Sequence, residues 1–182
     1  MKYIPSEMDI IHLKLIRQNI VTFMQYVSDM YALNSGRLLD IAPQVHEGAR
    51  PYFKSHIIIE TLDIDPQSGA TYIADITQHN EFIPDGMFNY VVCTEVLEHT
   101  LNPFEAIKEI HRLLANDGYL FMSTPFNFRI HGPLPDCWRF TEHGLRALLS
   151  GFEIIELNGL DTPERPLMPI HYVVVAQKRD SF

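Results

Sequence analysis

The chain has 182 residues, 46% hydrophobic and 20% charged, a balance that suits one globular domain with a sizeable core. Its 14 basic and 23 acidic residues leave a net charge of −9, which argues against a duplex nucleic-acid binder, because such a surface needs a basic face. The apolar runs are far shorter than a membrane span and the first residues carry no signal-peptide pattern, so no membrane partner and a cytoplasmic location are expected.

In chain order, Ser6 and Asp9 have the spacing of a helix capping box, and Leu13, Ile16, Ile20, Phe23, Met24 and Val27 follow at helical intervals. The breaker cluster Asn34-Ser35-Gly36 ends that helix. Residues 1–35 therefore read as a helical segment packed on, or capping, residues 36–182, the whole being a single domain. Strands are expected over 37–42, 57–63, 71–74 and 89–94. Asn102 then caps a helix with Pro103 at its first position and Phe104, Ile107, Ile110, Leu113 and Leu114 on its buried face, and Gly118 reads as its stop signal. A fifth strand spans 119–123. Thr141 caps a short helix carrying Leu145, Leu148 and Leu149, which Gly151 ends, and the last two strands cover 152–157 and 171–177.

This alternation predicts an α/β fold: a three-layer, doubly wound, mostly parallel sheet of seven strands. The final pair differs. Pro163, Pro166 and Pro169 lie between the last two strands, and prolines this dense oppose the helical crossover that a parallel pair requires. A C-terminal antiparallel hairpin follows.

Three strand patterns close on acids, Asp40, Asp63 and Asp75, and a fourth runs into Thr94, Glu95, Glu98 and His99. Taken singly, such residues terminate strands and cap what comes next. Taken together, they line the carboxyl edge of one sheet, where open α/β folds hold their ligands. A carboxylate ending the second strand can accept both hydroxyls of a ribose through charge-assisted bonds. A carboxylate with its adjacent backbone can read an adenine amino group.

On these motifs the chain from Gly36 onward resembles the class I S-adenosylmethionine-dependent methyltransferases of the small type 11/type 12 kind. LLDIAPQ (38–44) stands at the family's glycine-rich first motif, LDIDP (62–66) at the end of its second strand and ADIT (74–77) at its adenine motif. FNYVVCTEVLEH (88–99) matches the fourth motif and LLANDGYLFMSTP (113–125) the turn and fifth strand. The resemblance implies S-adenosylmethionine as cofactor, bound by Asp40, Ala42, Gln44, Asp63, Ile64, Asp75, Ile76, Thr94 and Glu95. Within this set Asp63 holds the ribose, Asp75 and Ile76 meet the adenine, and Thr94 and Glu95 run beside the methionine part. Ala42, Pro43 and Gln44 depart from the family's glycines. Alanine is cheap at 42 if its φ is negative, whereas Pro43 fixes φ and removes a donor.

The segment 126–140, FNFRIHGPLPDCWRF, has no helical period and should overlie the same sheet edge. His99, Asp136, Trp138 and Arg139 are its candidate substrate contacts, with His131 as candidate base. The bland alternative has Trp138 covering core and Arg139 pairing with an acid. His131, Asp136 and His143 have metal-binding chemistry, but their spacing fits no metal motif and no CxxC pair is present, so no metal is expected. The expected activity is methyl transfer to a small-molecule or sugar-type acceptor, with a homodimer allowed where a second subunit completes the site. The competing expectation, motivated by Ala42-Pro43-Gln44, is a degenerate methyltransferase-fold module that binds a partner without catalysis. A nicotinamide enzyme would need a GxGxxG turn after the first strand, which is absent.

Overall fold

A computed structural model describes residues 4–43 and 47–179. Helix α1 spans Glu7–Met30 and opens on the expected capping box: the Asp9 amide donates to Ser6 Oγ while the Ser6 amide donates to the Asp9 carboxylate. Strands follow at Gly36–Ile41 (β1), Ile57–Asp63 (β2), Tyr72–Ile73 (β3) and Phe88–Thr94 (β4). A single 3-10 turn, Leu97–His99, leads to helix α2 (Pro103–Leu113), whose Asn102 side chain accepts from the Glu105 amide as a cap. Then come β5 (Leu114–Pro125), α3 (Glu142–Leu148, capped by Thr141), β6 (Phe152–Leu160) and β7 (His171–Lys178).

The seven strands form one sheet in the order β3-β2-β1-β4-β5-β7-β6. The first five run parallel, and β7 is antiparallel to both β5 and β6. This is the expected doubly wound sheet ending in an antiparallel hairpin. Successive strand residues point to opposite faces. On one face, Leu38, Tyr90, Val92, Phe121, Val173 and Val175 pack against Phe23, Met24 and Val27 of α1 and against Ala49 and Phe53. On the other, Leu39, Val91, Cys93, Leu120, Met122, Val174 and Ala176 meet Ala106, Ile107, Ile110 and Leu113 of α2 and Leu145 and Leu148 of α3. Each buried Leu, Ile or Val of this kind stabilises by about 1.5–3 kcal/mol relative to exposure. No described helix is long and apolar enough to cross a membrane.

Three expectations need correction. Phe104, read on the buried face of α2, is 59% exposed, because that face is carried by Ala106, Ile107, Ile110 and Leu113. Gly118 is not the stop of α2. The helix ends at Leu113 because Leu114 already extends and pairs with Phe88, and the next paired residue is Tyr119, opposite Tyr90. Residues 115–118 bulge out between them, and a Cβ on Gly118 would lie 2.8 Å from the Ala115 carbonyl oxygen and 3.0 Å from that of Asn89, so glycine serves close approach there. The third strand shrinks to two residues because only Leu62 and Asp63 remain to pair with it.

Between β1 and β2 the described backbone forms turns over 48–53 rather than a crossover helix. Helix α1 shares that layer: Ser28 Oγ donates to the Tyr52 carbonyl at 2.8 Å, tying the turns to the helix. This arrangement leaves a hollow between α1 and the carboxyl ends of β1 and β4.

Candidate functional site

The carboxyl ends of β1, β2 and β4 border two adjoining cavities. The smaller, of about 310 Å³, is lined by Asp63, Ile64, Asp75, Ile76 and the backbone after β4. The larger, of about 600 Å³, lies under α1 between Leu13, Ile16, Arg17 and Ile20 on one side and Asp40, Thr94 and His131 on the other. Ile41, Ala42, Glu95, His99 and Pro133 line both, so they form the wall where the two meet.

The β2 end holds a buried oxygen without a hydrogen-bond partner. Asp63 is 5% exposed. Its Oδ1 accepts from the Asp65 amide at 2.9 Å, but Oδ2 is buried and has no hydrogen-bond partner. A buried carboxylate oxygen left unpaired costs free energy on the order of 1–3 kcal/mol or more. Beside it, Asp75 Oδ1 accepts from both the amide and the hydroxyl of Thr77 at 2.8 Å, which fixes the loop carrying buried Ile76 against the same cavity. Ile64 is exposed and lies at the rim.

At the β1 end, Asp40 is buried and its Oδ2 accepts from the Ala49 amide at 2.7 Å. Burial pushes this carboxyl up to about 6, with the Ala49 bond pulling the other way. Asp40 thus anchors the turn that closes the larger cavity. Ala42 has φ of +51°, so the expected cheap negative φ is not adopted. An alanine thus bears a left-handed backbone that glycine adopts without strain, at a cost of about 1–2 kcal/mol. Gln44 lies outside the described residues.

At the β4 end, Thr94 borders the larger cavity and Glu95 takes φ of +54°. Sparsely populated backbone conformations of this kind persist where surroundings over-determine them. Here the Glu95 amide donates to the Ser123 carbonyl, and Glu95 Oε1 accepts from Ser123 Oγ at 2.9 Å and pairs with His171 Nε2 at 2.7 Å. His171 is fully buried, and its Nδ1 meets the Asn19 amide nitrogen at 2.9 Å. That bond makes Nδ1 the acceptor and leaves Nε2–H as the donor to Glu95.

The segment 126–140 crosses above. His99 and His131 lie edge to face, ring centroids 4.9 Å apart. His99 Nδ1 bonds to the Pro135 carbonyl at 2.9 Å, and His131 Nδ1 sits 3.1 Å from Asp136 Oδ2 and 3.3 Å from the Arg129 carbonyl. Burial pushes His131 down, against the pull of Asp136. Burial works against the charge on Asp136 as well, but Arg139, through a two-armed bond, and the His131 amide outweigh it and hold that carboxyl down at about 2. Asp136, Trp138 and Arg139 line neither cavity; they stand behind His131 and His99. Arg139 also donates to the carbonyls of Phe128 and Arg129, and Trp138 Nε1 donates to the Thr100 carbonyl while its ring stacks on Phe140.

Sequence reasoning missed two participants, Asn19 and His171, and the burial of a third, Glu98. Glu98 is fully buried and neither carboxylate oxygen has a hydrogen-bond partner. Asn19 and His171 reach Glu95 from α1 and β7. The His171 signal was a histidine opening an otherwise apolar strand; Glu98, in a single 3-10 turn, offered no periodicity from which burial could be read.

Comparison with known proteins places this arrangement. A family model described as a methyltransferase domain matches residues 14–158. No functionally curated protein matches. Among solved structures, the chain is similar to a SAM-dependent methyltransferase from Methanosarcina mazei, 18% identical with a TM-score of 0.63 over 83% of this chain and 96% of that one. It is similar to the [4+2]-cyclase SpnF, 17% identical with a TM-score of 0.71 over 90% and 82%. A third is the Burkholderia thailandensis 1,6-didemethyltoxoflavin-N1-methyltransferase with bound 1,6-didemethyltoxoflavin and S-adenosylhomocysteine, 17% identical with a TM-score of 0.63 over 98% and 93%. At these identities the structural likeness speaks to the fold, which alone does not select a reaction.

Proposed function

The chain belongs to the methyltransferase domain family, and from that premise we propose that it binds S-adenosylmethionine in the smaller cavity and methylates a small-molecule or sugar-type acceptor held in the larger one. The observation that carries this reading is Asp63 Oδ2, a buried carboxylate oxygen with no partner, beside a cavity at the end of β2. Ribose hydroxyls are the donors such an oxygen lacks. The cofactor's adenine fits the neighbouring slot, where Ile76 offers an apolar face and Asp75 a carboxylate braced by Thr77. Its methionine end fits the shared wall at Ala42, Thr94 and Glu95. Ala42 keeps the left-handed backbone of a glycine-containing first motif without the glycine. That favours a working cofactor loop over a degenerate one.

S-adenosylmethionine supplies a methyl group on a positively charged sulfur. The chain's own work is to position two reactants in line and keep water away, which can account for most of the rate of such a transfer. Glu95, held by Ser123 and His171, puts a carboxylate where a positive centre is stabilised. Leu13, Ile16 and Ile20 of α1 give the acceptor cavity an apolar wall, and Arg17 gives it one cationic group. His99 and His131 both have Nδ1 engaged by a backbone carbonyl, and both side chains border the larger cavity, so an imidazole that can take a proton stands beside the acceptor space. Calorimetry with S-adenosylmethionine and S-adenosylhomocysteine tests the reading: one site per chain is expected, and no binding at millimolar ligand overturns it.

A further inference from the structure

Glu98 is the described carboxylate that the fold treats most expensively. It is fully buried in the 3-10 turn after β4, and neither oxygen has a hydrogen-bond partner. What faces it instead is a pair of imidazole nitrogens: His99 Nε2 at 3.7 Å and His131 Nε2 at 3.8 Å from Oε1. Those distances are too long for hydrogen bonds. One donor atom from each of the three residues lies within 4.8 Å of the others.

We propose that Glu98, His99 and His131 form a binding site for a divalent first-row transition-metal ion. Two imidazoles and a carboxylate are the donor set of open, three-ligand sites. Ligands at about 2.1 Å in tetrahedral array stand about 3.4 Å apart, so the two imidazole–carboxylate pairs need to close by a few tenths of an ångström and the imidazole pair by no more than about 1.4 Å. The support behind them is in place. Metal-bound histidines pass their other nitrogen to a carbonyl or carboxylate, which fixes tautomer and ring orientation. His99 Nδ1 does so to the Pro135 carbonyl, and His131 Nδ1 to the Arg129 carbonyl, with the Asp136 carboxylate, clamped by Arg139, 3.1 Å away. A cation also relieves the crowding of Glu95, Glu98 and Asp136. The sequence reading grouped His131 with Asp136 and His143; the fold puts Asp136 one step behind the site and supplies Glu98 and His99 in front.

Because His99 borders both cavities and His131 the larger one, the open coordination positions face the acceptor space. Resting on the methyl-transfer reading, this selects acceptors with a hydroxyl oxygen able to ligate the ion.

The test uses the full chain stripped with a chelator, then titrated with Co²⁺ and with Zn²⁺ by calorimetry, with the Co²⁺ absorption spectrum as second readout. One ion per chain with nitrogen-ligand bands is expected, and Glu98→Gln and His131→Ala should each weaken binding at least tenfold. Glu142→Gln, at a half-exposed side chain that pairs with Arg146 on α3, should bind Co²⁺ as the parent does. Glu98→Gln is close to isosteric and leaves no carboxyl to bury, so it should melt no lower than the metal-free parent; if it does not fold, His131→Ala decides. No binding at millimolar Co²⁺, or equal binding by parent and variants, overturns the site. S-adenosylhomocysteine titrated into the same samples separates the two readings: cofactor binding without ion binding removes only the metal site, and ion binding without cofactor binding removes only the methyl-transfer reading.

Discussion

Asp63→Asn should move stability and ligand affinity differently. In the free protein, Oδ2 is a buried, charged oxygen with nothing donating to it, while Oδ1 holds the Asp65 amide at 2.9 Å. An asparagine oxygen can keep the Asp65 bond, and the amide group carries no charge to desolvate. The free variant should therefore melt at or above the parent temperature, since relieving an unpaired buried charge offsets any small packing loss. Binding should suffer. A hydrogen bond to a charged group contributes about 1.5–3 kcal/mol and a neutral one about 0.5–1.5. Over the one or two ribose hydroxyls that Oδ2 can serve, the loss comes to about 1–3 kcal/mol, or roughly 5–150-fold in Kd. Calorimetry with S-adenosylhomocysteine measures the affinity, and thermal melts with and without ligand measure the other half. Parent-like affinity in a folded variant would refute the ribose assignment. A large drop in melting temperature without ligand would refute the claim that the oxygen waits for a partner.

Three other substitutions probe the loop after β1. Asp40→Asn should flatten a pH dependence: a carboxyl raised from 3.8 to about 6 stabilises the fold below pH 3.8 and loses that contribution as pH rises through 6. Urea unfolding should show the parent-minus-variant difference shrinking by up to about 3 kcal/mol between pH 4 and pH 7, the parent losing ground as pH rises. Ala42→Gly should stabilise by up to about 1 kcal/mol in the same assay, because glycine adopts φ of +51° without the strain alanine bears. Gly48→Ala should destabilise by about 2 kcal/mol or more, since its Cβ would stand 2.1 Å from Asp40 Oδ2 at φ of +58°.

The sheet was legible because its signals are local. Runs such as Val91-Val92-Cys93 and Leu38-Leu39, the Asn102-Pro103 start and the Thr141 cap depend on neighbours a few residues away, and each formed as read. The antiparallel hairpin was legible for another reason: three prolines exclude the helix that a parallel return would need. Asp63 and Asp75 could be placed on one edge because parallel strands put all their carboxyl ends on the same side. What stayed hidden is set by tertiary contact. No spacing announces that Asn19, His171 and Glu95 will meet, being 152 and 76 residues apart in successive steps. Nor does any pattern show that Trp138 and Arg139, polar and aromatic enough to suggest substrate contact, serve as the brace for two histidines.

The altered first motif is where sequence and structure inform each other most. Glycine at the end of β1 does two jobs in such a fold: it takes a left-handed backbone, and it lets chain approach chain without a side chain between. Here the jobs are divided. Ala42 takes the left-handed turn and bears its strain, held by its amide bond to the Leu62 carbonyl at 2.7 Å. Gly48 provides the close approach, where a Cβ would collide with Asp40 and Pro43. Asp40 joins the two by accepting from the Ala49 amide, at the expense of a buried carboxyl whose pKa rises. A loop whose ligand-binding role had been lost would be free to relax Ala42 to negative φ and Asp40 to solvent. Keeping both, in a chain of ordinary marginal stability, fits a loop whose shape is set by what it must hold.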